Sequence, residues 1–207
     1  TWNLNAAIAP GGTFHVVFDS SQGSTEKELH WVVVKDGRVE DRRVSRDDGA
    51  ESAYPDIAFD GTRFAITWFD FRDGNPEVYL RCGELDSVGV PDSGLLLDEA
   101  AARRVTRSKE ESIGAYLTWY RGRIELAWTE GRDMHRELWR QQFDRDCLPL
   151  GAARRVDSAG AEAGIPSLAS SPAGLALAWN GQRGDPSAPV HGLSRKPSSV
   201  VLLRIKR

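Results

Sequence analysis

The chain is poor in the features that mark several large classes of protein. Its 207 residues include four histidines and one methionine. The two cysteines are too few for a disulfide-dense scaffold. No apolar run approaches the roughly 18 residues of a membrane-spanning helix. The net charge is -3 and both signs are mixed along the chain, so neither a basic stripe for nucleic acid nor an acidic tail is present. We expect no nucleic-acid partner, no membrane span, no metal and no cofactor.

The two cysteines and the chain start give little functional information. Cys82 lies on a predicted strand, where we interpret it as a small apolar filler, and Cys147 takes the turn position that Gly89 holds one repeat earlier. Their spacing matches no metal or redox motif. A disulfide between them stays open, and the unpaired state is favoured because a pairing cannot be read from sequence without Cα separations. The chain begins Thr-Trp-Asn without methionine or an apolar leader, as we expect of a processed chain or an excised piece.

One pattern occurs three times along the chain. Trp68, Trp128 and Trp179 are separated by 60 and 51 residues. Each is preceded by a Glu 17 residues earlier and followed by an Arg four residues later, giving Glu51, Glu111 and Glu162 with Arg72, Arg132 and Arg183. Arg-Arg-Val recurs as well, at 42–44, 103–105 and 154–156. Self-similarity at a period near 50 residues is typical of solenoids and propellers.

Each repeat is predicted to contain four antiparallel strands. The five residues that end at each Trp alternate large apolar residues with others, and Phe14 to Phe18 is a fourth copy of this period-2 pattern. A Gly-containing hairpin turn precedes each copy, for example Asp60-Gly61. Units of this kind are the blades of a β-propeller. We predict one all-β propeller domain over residues 1–207, with blades near 1–50, 51–108, 109–160 and 161–207.

The last blade is predicted to be incomplete. Its third strand lies near Val200 to Arg204, after a Pro- and Ser-rich loop from Asp185 to Ser199, and no fourth strand follows. The sequence therefore predicts fifteen strands of sixteen. Because unpaired strand edges are normally covered, we expect a second copy, another chain or lost residues to complete this blade. An insertion from Ser93 to Ala102 has the propensity for a turn of helix.

The motifs around the first tryptophan carry a family resemblance. Tyr54-Pro55-Asp56-Ile57-Ala58, Trp68-Phe69-Asp70-Phe71-Arg72-Asp73-Gly74 and Glu77-Val78-Tyr79 resemble the Trp-x-Asp-x-Arg-x-Gly blades of bacterial secreted and cell-envelope β-propellers, which are sialidase-like in shape. The resemblance implies an extracellular or cell-envelope location and a non-catalytic binding or assembly module for a protein or glycan ligand. A sialidase-like glycoside hydrolase is the alternative, because one superfold hosts many activities.

The repeated charges are the candidate binding residues. The inter-blade loops and the loops between second and third strands share one face of a propeller, which brings together Glu51, Glu111, Glu162, Asp70, Glu130, Arg72, Arg132 and Arg183. One hypothesis is a charged ring at the channel mouth that binds a carboxylated or sulfated sugar or a peptide. The favoured hypothesis is that each Glu pairs with an Arg and fastens blade to blade.

Three other motifs were weighed for chemistry. The Ser-x-Asp-x-Gly-x-x-Trp box of sialidases is not matched, because Asp60-Gly61-Thr62 lies too far ahead of Trp68. Asp70 to Asn75 resembles a calcium loop, but Arg72 at its middle favours an ordinary turn. Arg183-Gly184-Asp185 matches an integrin-adhesion tripeptide, a match that arises readily by chance. No catalytic residue is predicted, since catalysis needs residues that depart from the repeat.

Overall fold

The computed structural model describes residues 3–86, 102–132, 135–157, 161–183 and 199–205, with 161, 182, 183 and 199–205 described by their backbone. These residues form strands and turns, and among them no helix is long and apolar enough to cross a membrane. The predicted insertion before Ala102 and the predicted loop before Ser199 lie outside the described residues.

Fifteen strands form four antiparallel sheets in this part of the chain, as the repeat predicts. Blade 1 contains β1 (Leu4–Ile8), β2 (Phe14–Ser20), β3 (Glu28–Lys35) and β4 (Arg38–Arg43). Blade 2 contains β5 (Ser52–Asp60), β6 (Arg63–Asp70), β7 (Glu77–Glu84) and β8 (Arg103–Arg104). Blade 3 contains β9 (Ser112–Tyr120), β10 (Arg123–Glu130), β11 (Glu137–Phe143) and β12 (Arg154–Arg155). Blade 4 contains β13 (Ala161–Ser171), β14 (Gly174–Arg183) and β15 (Ser199–Ile205), with β15 last in the sheet.

Local sequence explains both ends of a blade. Asp36-Gly37 and Arg121-Gly122 have positive φ at both positions, as the tight type I′ hairpin turn requires. Arg-Arg-Val ends each four-stranded sheet because the Val amide donates to the start of the third strand. Its acceptors are the carbonyls of Leu29, Val78 and Leu138, each 2.8 Å from the Val nitrogen.

The first strands are the innermost, since β1 contacts β5, β5 contacts β9 and β9 contacts β13. We call the face of a blade that packs on the following blade its back face, and the opposite face its front face. The apolar cores lie between these faces. Trp31 on the back of blade 1 packs edge-on against Phe64 on the front of blade 2, with ring centroids 4.9 Å apart. Buried apolar surface therefore holds blade to blade.

A backbone hydrogen bond repeats at each of the three blade junctions. The amide at the start of a first strand donates to the carbonyl that precedes the third strand of the blade before it. The pairs are Ser52 to Lys27 at 2.9 Å, Ser112 to Pro76 at 2.9 Å and Ala163 to Arg136 at 2.8 Å. Because the bond uses main-chain atoms, it forms in all three places although the acceptor residue is Lys27, Pro76 or Arg136.

Cys82 and Cys147 form a disulfide, with Cα atoms 5.8 Å apart. The favoured expectation of unpaired thiols is therefore wrong. Cys82 lies on β7 at the back of blade 2, and Cys147 lies in the turn after β11 of blade 3. Because back faces meet front faces, residues at non-equivalent positions of the repeat become neighbours. The disulfide covalently links two consecutive blades.

Candidate functional site

The repeated glutamates pair with cations other than the repeated arginines. Glu51 accepts from Lys27 at 2.5 Å, which joins blade 2 to blade 1. Glu111 accepts from Arg136 at 2.7 Å, within blade 3. The expected fastening of blade to blade by Glu–Arg pairs is therefore wrong at these two positions. Of these two pairs, the Glu51 pair crosses a junction, and its partner is a lysine.

The repeated arginines also have different roles from blade to blade. Arg72 donates to Asp70 in its own blade at 2.5 Å, and its guanidinium lies 4.8 Å from the ring centre of Tyr79. Arg132 is 59% exposed and faces Glu110 at 3.3 Å. The side chain of Arg183 lies outside the described residues, so its pairing with the half-buried Glu162 stays a prediction.

Asp70 and Glu130 are engaged with their own surroundings. The buried Asp70 accepts from the Ser52 hydroxyl at 2.8 Å, the Trp68 indole at 3.1 Å and the Arg72 amide at 2.9 Å. Burial by itself would raise the pKa of Asp70, but the hydrogen bonds and charge of Arg72 outweigh it and the pKa is lowered. Glu130 accepts from the Ser108 hydroxyl at 2.8 Å. We call the propeller edge that carries the repeated charged residues the rim. These two carboxylates stabilise its loops.

The predicted ordinary turn at 70–75 is confirmed. The Gly74 amide donates to the Phe71 carbonyl at 2.8 Å, and Gly74 has φ 78°. The carboxylate of Asp70 faces Arg72 and not a cation site. Among all the described residues, no group of three His, Cys, Asp or Glu side chains is arranged to hold a metal ion.

Four different polar residues lie at one level of the innermost strands, which border the central channel of a propeller. In each blade this residue pairs across the sheet with the second-strand residue that immediately precedes an aromatic residue, which is Phe18, Trp68, Trp128 or Trp179. The four positions are therefore equivalent between blades. They are Asn5, Asp56, Tyr116 and Ser167, which we call the inner ring. All four side chains are half-buried or exposed, although they lie on the innermost strands.

Hydrogen bonds connect the inner ring from blade to blade. The Asn5 amide donates to the Pro55 carbonyl at 2.9 Å, and Asp56 accepts from the Leu117 amide at 2.8 Å. Each of these bonds reaches the first strand of the following blade. Two polar side chains thus link the first strands of blades 1, 2 and 3.

The inner ring changes the acidity of its own members. Desolvation raises the pKa of Asp56 to about 6, against the lowering effect of the Leu117 and Ile57 amides. Desolvation also raises the pKa of Tyr116, and the neighbouring charge of Asp56 adds to this, while the Asn5 hydrogen bond opposes it. Near neutral pH Asp56 is therefore an ionised acceptor, and Tyr116 keeps its proton as a donor.

A bulge next to the inner ring presents an aromatic side chain. The β5–β6 register shifts between Ala53 and Asp56, and Tyr54 has φ 55°. Its amide donates to Asp19 at 3.0 Å, which holds the strained residue in place. The Tyr54 ring stacks on Phe69 at 5.3 Å, and Phe69 meets the partly exposed Phe71 edge-on at 5.8 Å. Tyr54, Phe69 and Phe71 thus form one aromatic cluster.

The repeat contains a signal for the inner ring, but this signal lies at a position where the copies differ. Asp56, Tyr116 and Ser167 each lie twelve residues before the Trp of their blade. This position differs from copy to copy, whereas the predicted site consists of residues that the copies share. A polar residue at a variable position of a first strand is the signal that would have marked the channel.

Comparison with solved structures identifies the architecture. The GH43 endo-arabinanase of Bacillus licheniformis aligns over 97% of this chain and 72% of its own, with a TM-score of 0.54 and 12% identity. The α-L-arabinofuranosidase of Lactobacillus brevis aligns over 97% and 71%, with a TM-score of 0.60 and 8% identity. The chain has a β-propeller fold.

A third structure extends the likeness beyond arabinan-directed enzymes. The subtype N10 neuraminidase-like protein A/little yellow-shouldered bat/Guatemala aligns over 98% of this chain and 59% of its own, with a TM-score of 0.55 and 8% identity. No family model matches the chain, and no curated protein is similar to it. Identities this low establish the fold alone, and the function is argued from the site.

Proposed function

We propose that this propeller is a non-catalytic glycan-binding module and that the glycan binds at the inner ring. The carrying observation is the single level of the channel at which Asn5, Asp56, Tyr116 and Ser167 replace one another. Together they offer amide, carboxylate, phenol and hydroxyl groups, which suit the hydroxyls of a sugar. Tyr54, two residues before Asp56, adds an aromatic side chain near this level. The aligned structures carry names of proteins that act on glycans, which supports this class of ligand.

The acid–base character of the ring supports binding over hydrolysis. Glycoside hydrolysis ordinarily uses two carboxyl groups on either side of the scissile bond, and the inner ring contains one, Asp56. A tyrosine nucleophile needs its pKa lowered by a base, whereas the pKa of Tyr116 is raised, first by desolvation. A sialidase-like hydrolase stays the second candidate, because the raised pKa of Asp56, about 6, suits a general acid.

A glycan panel separates the two candidates. Arabino-oligosaccharides, β-1,3-galacto-oligosaccharides and sialyllactose are titrated into the protein by calorimetry, and the same mixtures are then assayed for new reducing ends. We expect binding of at least one glycan with no new reducing ends. Turnover that disappears in Asp56→Asn would establish the hydrolase instead. Absence of binding across the panel at millimolar ligand would contradict the glycan proposal.

A further inference from the structure

The front face of blade 1 is an interface surface without an interface partner among the described residues. Leu4, Ile8 and Phe14 point from this face and are 61%, 59% and 53% exposed. Val39 on β4 extends the same face and is also exposed. Large apolar side chains that are exposed together on one sheet face mark a site of association.

The equivalent residues in the other blades indicate which kind of surface fits the front face of blade 1. Phe14 is equivalent to Phe64, Ile124 and Leu175 in the other blades, and those three are 0–1% exposed. In blades 2 and 3 the side chain at this position, Phe64 or Ile124, is buried in a core shared with the back of the preceding blade. In blade 1 the same apolar side chain is 53% exposed. The partner that fits is the back face of a propeller blade.

The back face of blade 4 offers a matching surface. In blade 2, the cross-strand pair Ala58–Ala65 lies against the front of blade 3. Blade 4 carries an equivalent pair, Ala169–Ala176, in which Ala169 is exposed and Ala176 is half-buried. Small residues on this back face leave room for large side chains on an opposing front face.

The two free faces repeat an interface that the chain already makes. Trp119 and Ile124 pair across strands on the front of blade 3 and pack against the Ala pair of blade 2. Ile8 and Phe14 form the equivalent cross-strand pair on blade 1. Their exposure shows that blade 4 of the same chain does not cover them. We propose that the back face of blade 4 in a second copy docks on the front face of blade 1, head to tail.

Head-to-tail contacts of this kind use two different surfaces, so they close into rings or continue as open chains. Three variants test the contact by sedimentation velocity across a range of concentrations. Phe14→Arg places a charge on the blade 1 face, and Ala176→Arg places one on the blade 4 face. Leu150→Arg is the matched control, because Leu150 is an exposed apolar residue (47%) on neither face.

We expect the wild type and Leu150→Arg to assemble, and each of the other two variants to sediment as a 22.9 kDa monomer with at least tenfold weaker association. An equimolar mixture of Phe14→Arg and Ala176→Arg should form a one-to-one dimer, since each supplies the face that the other lacks. Circular dichroism checks that both variants are folded, and Ala169→Arg replaces Ala176→Arg if the latter unfolds.

Three results would overturn the proposal. The first is a wild type that stays monomeric at every concentration. That result would mean that no second copy covers the front face of blade 1. The second is assembly broken by Phe14→Arg and not by Ala176→Arg, which indicates a symmetric contact between two blade 1 faces. The third is a mixture of the two variants that stays monomeric.

Discussion

Asp56 of blade 2 accepts a hydrogen bond from the main-chain amide of Leu117 of blade 3 at 2.8 Å. One carboxylate oxygen thus links two inner strands, while the side chain remains at the channel. The environment that keeps Asp56 there also raises its pKa to about 6, chiefly by desolvation. A polar group held at such a cost is characteristic of functional sites.

Asp56→Asn should stabilise the fold while it weakens glycan binding. The folded pKa of Asp56 lies above the unfolded value of roughly 3.9, so its contribution to stability is present in acid and is lost as pH rises from about 4 through 6. Asn avoids the ionisation and still accepts from Leu117. Chemical denaturation at pH 8 should show a gain of about 1 kcal/mol, and no gain at pH 4. A loss at pH 8 would contradict this account.

Two equivalent buried glutamates should respond in opposite ways to removal of their charge. Glu28 accepts from the Ser45 hydroxyl, but its second oxygen has no partner in the described structure. Burial raises its pKa to about 7, opposed by Ser45 and aided by Asp48 and Asp47. Its stabilising effect is therefore lost as pH rises from about 4 through 7. Glu28→Gln should gain about 2 kcal/mol at pH 9 and little at pH 4.

Glu77 is the matched control for Glu28. It occupies the same position in blade 2 and accepts from the Thr106 hydroxyl, but it also receives Arg104 and the Ser108 amide, each at 3.1 Å. Glu77→Gln removes the charge that Arg104 faces, so it should destabilise the fold by about 1–3 kcal/mol at pH 9. Melting curves that shift in the same direction for both variants at pH 9 would refute the assignment.

The two rim arginines should differ in their effect on stability. Arg72→Ala leaves the buried Asp70 without its charged partner, which costs about 3 kcal/mol. The pKa of Asp70 is lowered by Arg72 against the desolvation that would raise it, so the loss is full at neutral pH and shrinks as pH falls through that pKa. Arg132→Ala removes an exposed pair and should change stability by less than about 0.5 kcal/mol. Equal losses in urea denaturation would show that Arg132 also supports the fold.

Reduction of the Cys82–Cys147 disulfide should lower stability. The bond closes a loop of 65 residues and limits the freedom of the unfolded chain, an effect of about 2–4 kcal/mol. Cys82→Ser/Cys147→Ser should match the reduced wild type in its melting temperature, because both lack the same link. A reductant that also lowers the melting temperature of the double variant would point to a cause other than this bond.

The sequence predicted the blades because their cause is local. From Phe64 to Trp68, large apolar residues alternate with others, which is typical of a strand. Asp36-Gly37 is a residue pair typical of a hairpin turn. It did not predict the partners of Glu51 or Cys82, because those partners come from adjacent blades at other repeat positions. The inner ring was missed for a related reason. Repetition reveals what every blade needs, whereas Asp56 and Tyr116 lie where the blades differ.

The central claim is that a glycan binds at the inner ring and not at the charged rim. Calorimetric titration of a glycan that binds the wild type, repeated with Tyr116→Phe, Asp56→Ala and Arg132→Ala, tests it most directly. We predict at least tenfold weaker binding for Tyr116→Phe and Asp56→Ala, unchanged binding for Arg132→Ala, and circular dichroism spectra like the wild type for all three. Full affinity in both inner-ring variants, with binding lost in Arg132→Ala, would contradict the account and place the ligand on the rim.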